Sequence, residues 1–131
     1  MTDLVPALDD GARIPQGNDA EIAVPSGQLV YLQDVIWNAP GPEGLTLRFR
    51  FIAPQIARDG GTVGYEAAVE DMMHLCQTYA LPRLADFGPQ PSQVIISLSD
   101  IPVLFGDAAP EATQFFEAFS YQDGICIWEI Y

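Results

Sequence analysis

The chain has no lysine. Its five cations are all arginine, set against 18 acids, and the formal net charge is −13. So little positive charge speaks against nucleic acid, whose phosphates need cationic partners. It also speaks against docking on anionic lipid by charge. The balance favours solubility and mutual repulsion. The acids are scattered, with Asp9-Asp10 and Glu70-Asp71 the only adjacent pairs. No run reaches the length of an acidic tail, and the plain reading is a solvated acidic surface.

Long hydrophobic runs are missing too. No stretch approaches the roughly 20 apolar residues of a membrane span. The first residues, MTDLVPALDDGARI, have neither a basic n-region nor an apolar h-region. The expectation is either a cytoplasmic protein or a mature form with a replaced start.

Metal-binding and nucleophile motifs are equally scarce. One histidine and two cysteines without CxxC spacing cannot make a structural zinc site unaided. There is no D-x-D-x-D-G calcium loop. DGGTVG (59–64) lacks the Lys-Ser/Thr of a P-loop and the G-x-G-x-x-G spacing, so it reads as a loop and helix start. Ser97, Ser99 and Ser120 have no nucleophile-elbow spacing around them. No metal, cofactor or catalytic residue is expected.

What is present suits a folded domain. At 131 residues the chain is one domain of ordinary size, and a hydrophobic content of 49% excludes a disordered chain. Residues 1–23 lack periodicity and read as a flexible lead-in to a single domain over 24–131. QLVYLQDVIW (28–37) is rich in β-branched and aromatic residues, as a strand requires. NAPGPEG (38–44) is a loop. In LTLRFRF (45–51) Leu45, Leu47, Phe49 and Phe51 fall on one face, with Thr46, Arg48 and Arg50 on the other.

The convincing helix runs from about Tyr65 to Leu81. At about 100° per residue its apolar arc holds Tyr65, Ala68, Val69, Met72, Met73, Leu75, Cys76, Tyr79 and Ala80. Its polar arc holds Glu66, Glu70, Asp71, His74, Gln77 and Thr78. Pro82 marks the helix end. QVIISLSD (93–100) is a strand, and IPVLFG (101–106) reads as a short continuation at an edge or bend. TQFFEAFSYQ (113–122) and ICIWEIY (125–131) form a hairpin on Asp123-Gly124, a strong turn signal. The order β-β-α-β-β-β predicts a two-layer α+β domain. One long helix packs on one face of a mainly antiparallel sheet.

That turn sets the register, with Tyr121 opposite Cys126 and Phe119 opposite Trp128. Cys126 then lies on the face assigned to the helix, and Cys76 lies on the helix's apolar arc. A disulfide is the favoured reading, since facing elements can bring Cα atoms within about 7 Å. Two buried free thiols are the alternative. A bridge would imply an oxidising compartment.

Few residues suggest a site. His74 falls on the polar arc, with Glu70 one turn earlier as a partner. Arg48 and Arg50 sit side by side on the outer sheet face, able to hold a carboxylate or phosphate. More commonly such arginines pair with acids across the sheet. Phe116, Ile125, Ile127 and Tyr131 give the same outer face apolar character. A single helix cannot cover both faces. Either the N-terminal segment packs there or the face is a docking surface.

VPSGQ, GLTLRFRFIAP with IARDGG, LCQTYALP, QVIISLSD, PEATQFFEAF and DGICIWE together resemble a family of small exported alphaproteobacterial proteins of unknown function. The resemblance covers roughly residues 23–131, both cysteines included. It implies a periplasmic or secreted protein and transfers no functional residue. Some members carry an acetolactate synthase label. The chain is too short for such an enzyme, and FGDAAPE (105–111) only echoes a thiamine-diphosphate motif. An isolated regulatory domain would fit the fold class, though fold analogy says little about function.

Two functional expectations result. The first is a non-enzymatic binding or accessory module of the periplasm, contacting a protein partner or small apolar ligand through the second sheet face or an open sheet edge. The second is a small enzyme or regulatory ligand-binding domain that uses acidic residues and His74.

Overall fold

A computed structural model describes residues 12–15, 20–41, 44–87 and 90–129. Among the described residues six strands form one sheet whose spatial order follows the sequence: β1 (Ala12–Pro15), β2 (Tyr31–Gly41), β3 (Gly44–Ile52), β4 (Gln93–Ser99), β5 (Gln114–Gln122) and β6 (Ile125–Glu129). The sheet is mixed. β3 and β4 run parallel, and every other neighbouring pair is antiparallel. The parallel step demands a crossover. The helix α1 (Tyr65–Leu75) supplies it, so the helix lies against one face and the two-layer α+β class holds.

The sheet is longer at its start than the pattern foretold. Ala12–Pro15 pairs with β2, Arg13 opposite Ile36 and Ile14 opposite Val35. Four residues carry too little periodicity to announce a strand, and only pairing with β2 makes them one. Pro15 is tolerated at an edge, where a missing N–H costs no ladder bond. β2 likewise runs on to Gly41, through a register shift between Trp37 and Ala39.

The helical segment is not uniform. The α-helix ends at Leu75, a wider π-type turn follows over Cys76–Ala80, and a 3-10 stretch over Leu81–Phe87 continues past Pro82. Pro82 sits at the second position of that stretch, where its missing N–H is cheap. Residues 101–106 are not a strand. They turn at Gly106, whose φ is +93°, and fold back over the outer sheet face. The β5–β6 hairpin has the predicted register, with Asp123 and Gly124 at φ +57° and +78° as a tight turn of this kind requires.

The core lies between the helix and the inner sheet face. Leu47, Phe49 and Phe51 of β3 face Val94, Ile96 and Leu98 of β4 across the parallel register. Ala68, Met72, Leu75 and Cys76 cover them, and all of these side chains are buried. Tyr79 meets Phe49 and Phe51 edge-on, at centroid distances of 6.2 and 5.6 Å. Cys76 and Cys126 form a disulfide with Cα atoms 6.3 Å apart, closing a separation of 50 residues. Loop closure over that span stabilises the fold by about 4 kcal/mol. Gln77 reinforces the join, donating to the Gly124 carbonyl (2.7 Å) and accepting from the Cys126 N–H (3.0 Å).

Helical periodicity misplaced three residues, Asp71 most consequentially. It puts Asp71 on the solvent arc, yet Asp71 is fully buried. Its carboxylate accepts from the Ser26 N–H (2.9 Å), the Ser26 hydroxyl (2.6 Å) and the Gln28 side-chain amide (2.7 Å). The VPSGQ turn, with Gly27 at φ +82°, is therefore clamped to the helix by a buried acid. Such an acid is tolerated only because its oxygens are satisfied. Conversely, Tyr65 and Met73 of the apolar arc remain 48% and 40% exposed. Among the described residues no helix is long and apolar enough to cross a membrane.

Candidate functional site

The outer sheet face begins with β3 alternation. If Leu47, Phe49 and Phe51 point inward, Arg48 and Arg50 must point out. Arg50 stands opposite Asp34 of β2 and beside Ser97 of β4, and Ser97 in turn opposes Phe116 of β5. One row of the sheet thus runs acid, base, hydroxyl, aromatic.

The two arginines have different fates. Arg50 is 7% exposed and pairs with Asp34, itself fully buried, at 3.0 and 3.1 Å. It also donates to the Val103 carbonyl, which accepts a second bond from the Gln33 side chain at 2.8 Å. The 101–107 segment is thereby fastened over the outer face. This is the cross-strand pairing that sequence reasoning regarded as the commoner role.

Arg48 has no such partner. It is half-buried, and among the described residues it takes part in no hydrogen bond or ion pair. Its Nε is buried without an acceptor. Burial, and then the neighbouring Arg50 charge, lower its pKa from the ordinary value. A guanidinium stays charged in a protein regardless. What it does have is aromatic company. Its central carbon lies 5.8 Å from the ring centroids of both Phe105 and Phe116. Such contacts offset part of the desolvation cost, about 0.5–2 kcal/mol each. A buried donor left without an acceptor costs about 1–3 kcal/mol.

Beside these groups opens a cavity of about 210 Å³, walled by Arg48, Arg50, Ser97, Phe105 and Phe116, with Asp107 also on its lining. Two other cavities are larger, about 390 and 440 Å³. They lie at the 21–29 turn and at the loop before the helix. Neither presents a half-buried charge that lacks a partner. Val103 and Phe105 on the lining of the smaller cavity, and Asp34 as the partner of Arg50, escaped sequence reasoning. Pro102 and Gly106 were the available signal that 101–106 bends rather than extends.

The apolar residues of the outer face do not make one patch. Phe116 is 64% exposed and belongs with Arg48. Ile125 and Ile127, 59% and 43% exposed, sit at the turn end of the hairpin, where Ile127 opposes Ser120. Four positions along β5 separate Ser120 from Phe116, roughly 13 Å. Between them stand Ala118 and Glu129, with Glu129 held by the Ser120 hydroxyl at 2.7 Å. Tyr131 lies outside the described residues. The centre of the face is not open, since Ile36 and Ile95 are 1% and 5% exposed.

His74 is half-buried on α1, and α1 packs against the inner face. The structure does not bring it together with Arg48. Among the described residues His74 forms no ion pair with Glu70, and no group of three or more His, Cys, Asp or Glu side chains could hold a metal ion.

Comparison with known proteins adds the kinship but no activity. Residues 7–131 match a family of unknown function, DUF6497, and the chain belongs to that family. No curated protein and no solved structure matches it.

Proposed function

We propose that this protein is a non-enzymatic binding module of an oxidising, extracytoplasmic compartment, and that it contacts a protein partner through the outer face of the β5–β6 hairpin. The observation that carries the reading is the exposure of Phe116, Ile125 and Ile127, at 64%, 59% and 43%. Across the same hairpin Phe119 and the bridged Cys126 pack toward the helix. Large apolar side chains shown to solvent on a cross-linked hairpin suit recognition better than stability. A net charge of −13 favours a partner with a basic rim. The Cys76–Cys126 disulfide supports the compartment, because cytosolic thiols are kept reduced.

The test is photo-crosslinking from a probe at Gln122, beside the hairpin turn, in cells that express the chain. The wild type should yield one saturable adduct. The Phe116→Ser, Ile127→Ser double variant should lose it while keeping its thermal transition. Unchanged crosslinking by the variant contradicts the reading. Intact mass of the native chain should show a loss of two hydrogens relative to the reduced form.

A further inference from the structure

We propose that the cavity walled by Arg48, Phe105 and Phe116 is a receptor for a singly charged carboxylate that carries an apolar body. The inference deepens the reading of the outer face as the functional face, but it stands on a different residue.

Three observations select this chemistry. First, among the described residues Arg48 is the charge at this site without a counter-ion, since Arg50 is engaged by Asp34 and the Val103 carbonyl. An entering carboxylate would take up donors that have no acceptor among the described residues, in the bidentate geometry a guanidinium offers. Second, the walls are aromatic. Phe105 and Phe116 flank the guanidinium at 5.8 Å, and both are partly open to solvent, at 42% and 64%. An apolar body lying against them would cover surface that is now wet. Third, the electrostatics limit the ligand charge. Asp107 shares the lining with Arg48, inside a protein of net charge −13. That environment repels dianions such as phosphate esters more strongly than it repels a monocarboxylate.

The volume agrees. About 210 Å³ is below the range of drug-sized pockets, roughly 300–1,000 Å³, and suits a small acid or the last residue of a peptide. The roof is the 101–107 segment, which Arg50 and Gln33 fasten through the Val103 carbonyl. Arg50 is thus a positioning residue here, while Arg48 is the contact residue. Ser97 and Gln114 on the lining can donate to a second carboxylate oxygen or to a peptide N–H.

The test is a heteronuclear NMR titration of the oxidised full chain with phenylacetate, phenylacetamide and phenyl phosphate. In parallel, a peptide ending in phenylalanine is titrated with its C-terminus free or amidated. Phenylacetate should give saturable shifts centred on residues 48, 97, 105 and 116. Phenylacetamide and phenyl phosphate should bind at least tenfold more weakly. A free C-terminus that binds more tightly than phenylacetate makes a protein terminus the source of the carboxylate. The reverse order makes it a free acid. Arg48→Gln should weaken binding by tenfold or more, and Asp107→Asn should strengthen it severalfold. Phe105→Ala, at an exposed position, provides a second wall variant should Arg48→Gln fail to fold. Equal binding of acid and amide, an unchanged affinity in both wall variants, or shifts spread across the helix would overturn the proposal. Crosslinking that the Phe116→Ser, Ile127→Ser variant leaves unchanged, alongside saturable phenylacetate binding by the wild type, would count against the partner and not against the cavity.

Discussion

The two faces of the sheet are built on opposite rules. The inner face is apolar and closed: Phe49, Phe51 and Phe119 lie under the helix, and a disulfide holds the last strand to it. The outer face is polar at its centre and open at its margin, with a buried Asp34–Arg50 pair beside an arginine that has no ion-pair partner among the described residues. The contrast separates two jobs. The inner face supplies stability by burial, at about 1.5–3 kcal/mol per large side chain. The outer face carries charges that a purely structural sheet would do better without, because a buried ion pair is seldom more stabilising than apolar packing. Groups retained against stability point to function.

The strongest way to break the contrast is to damage each face in turn. Phe49→Ala should cost about 3–5 kcal/mol by cavity formation. Asp34→Ala should cost a similar 3–5 kcal/mol for a different reason: it strands the Arg50 charge in a buried position. Urea unfolding reads both. If Asp34→Ala costs less than about 1 kcal/mol, the outer pair is not the fastening described.

Removing the bridge comes next. Replacing Cys76 and Cys126 with serine should lower stability by about 4 kcal/mol. Neither β6 nor the helix lines the cavity around Arg48. The folded fraction of that variant should therefore bind phenylacetate with wild-type affinity. A parallel loss of affinity would show that the two faces are coupled.

The smallest stability effect belongs to the outer margin. Phe116→Ser and Ile127→Ser should each change the unfolding free energy by no more than about 0.5 kcal/mol, as exposed positions usually do. They should nonetheless abolish partner crosslinking. A cost of several kcal/mol for either would place that side chain in the fold rather than at an interface.

The inner face was largely legible in the sequence. Period-2 alternation in LTLRFRF, helical periodicity after Gly64 and the Asp123-Gly124 turn placed the core. They also juxtaposed Cys76 with Cys126, because all are local patterns. The outer face was legible only as a list of residues. Arg48 and Arg50 look alike in sequence, and nothing local distinguishes the paired from the unpaired. The difference arises from which residue of β2 meets which residue of β3, and from a segment near 103 that returns across the sheet. Asp71 shows the same limit. Its place in the helix pattern says solvent, while three donors from residues 26 and 28, some 45 positions away, make burial possible. The strand Ala12–Pro15 also exists only through its pairing.

The most direct test measures stability and affinity together in Arg48→Gln. An unpartnered, half-buried charge that serves the fold should destabilise it when removed. One kept for binding should not. The account predicts that Arg48→Gln unfolds at the same or a higher urea concentration than wild type, while its affinity for phenylacetate falls by tenfold or more. A variant that loses about 2 kcal/mol of stability and keeps its affinity would contradict it.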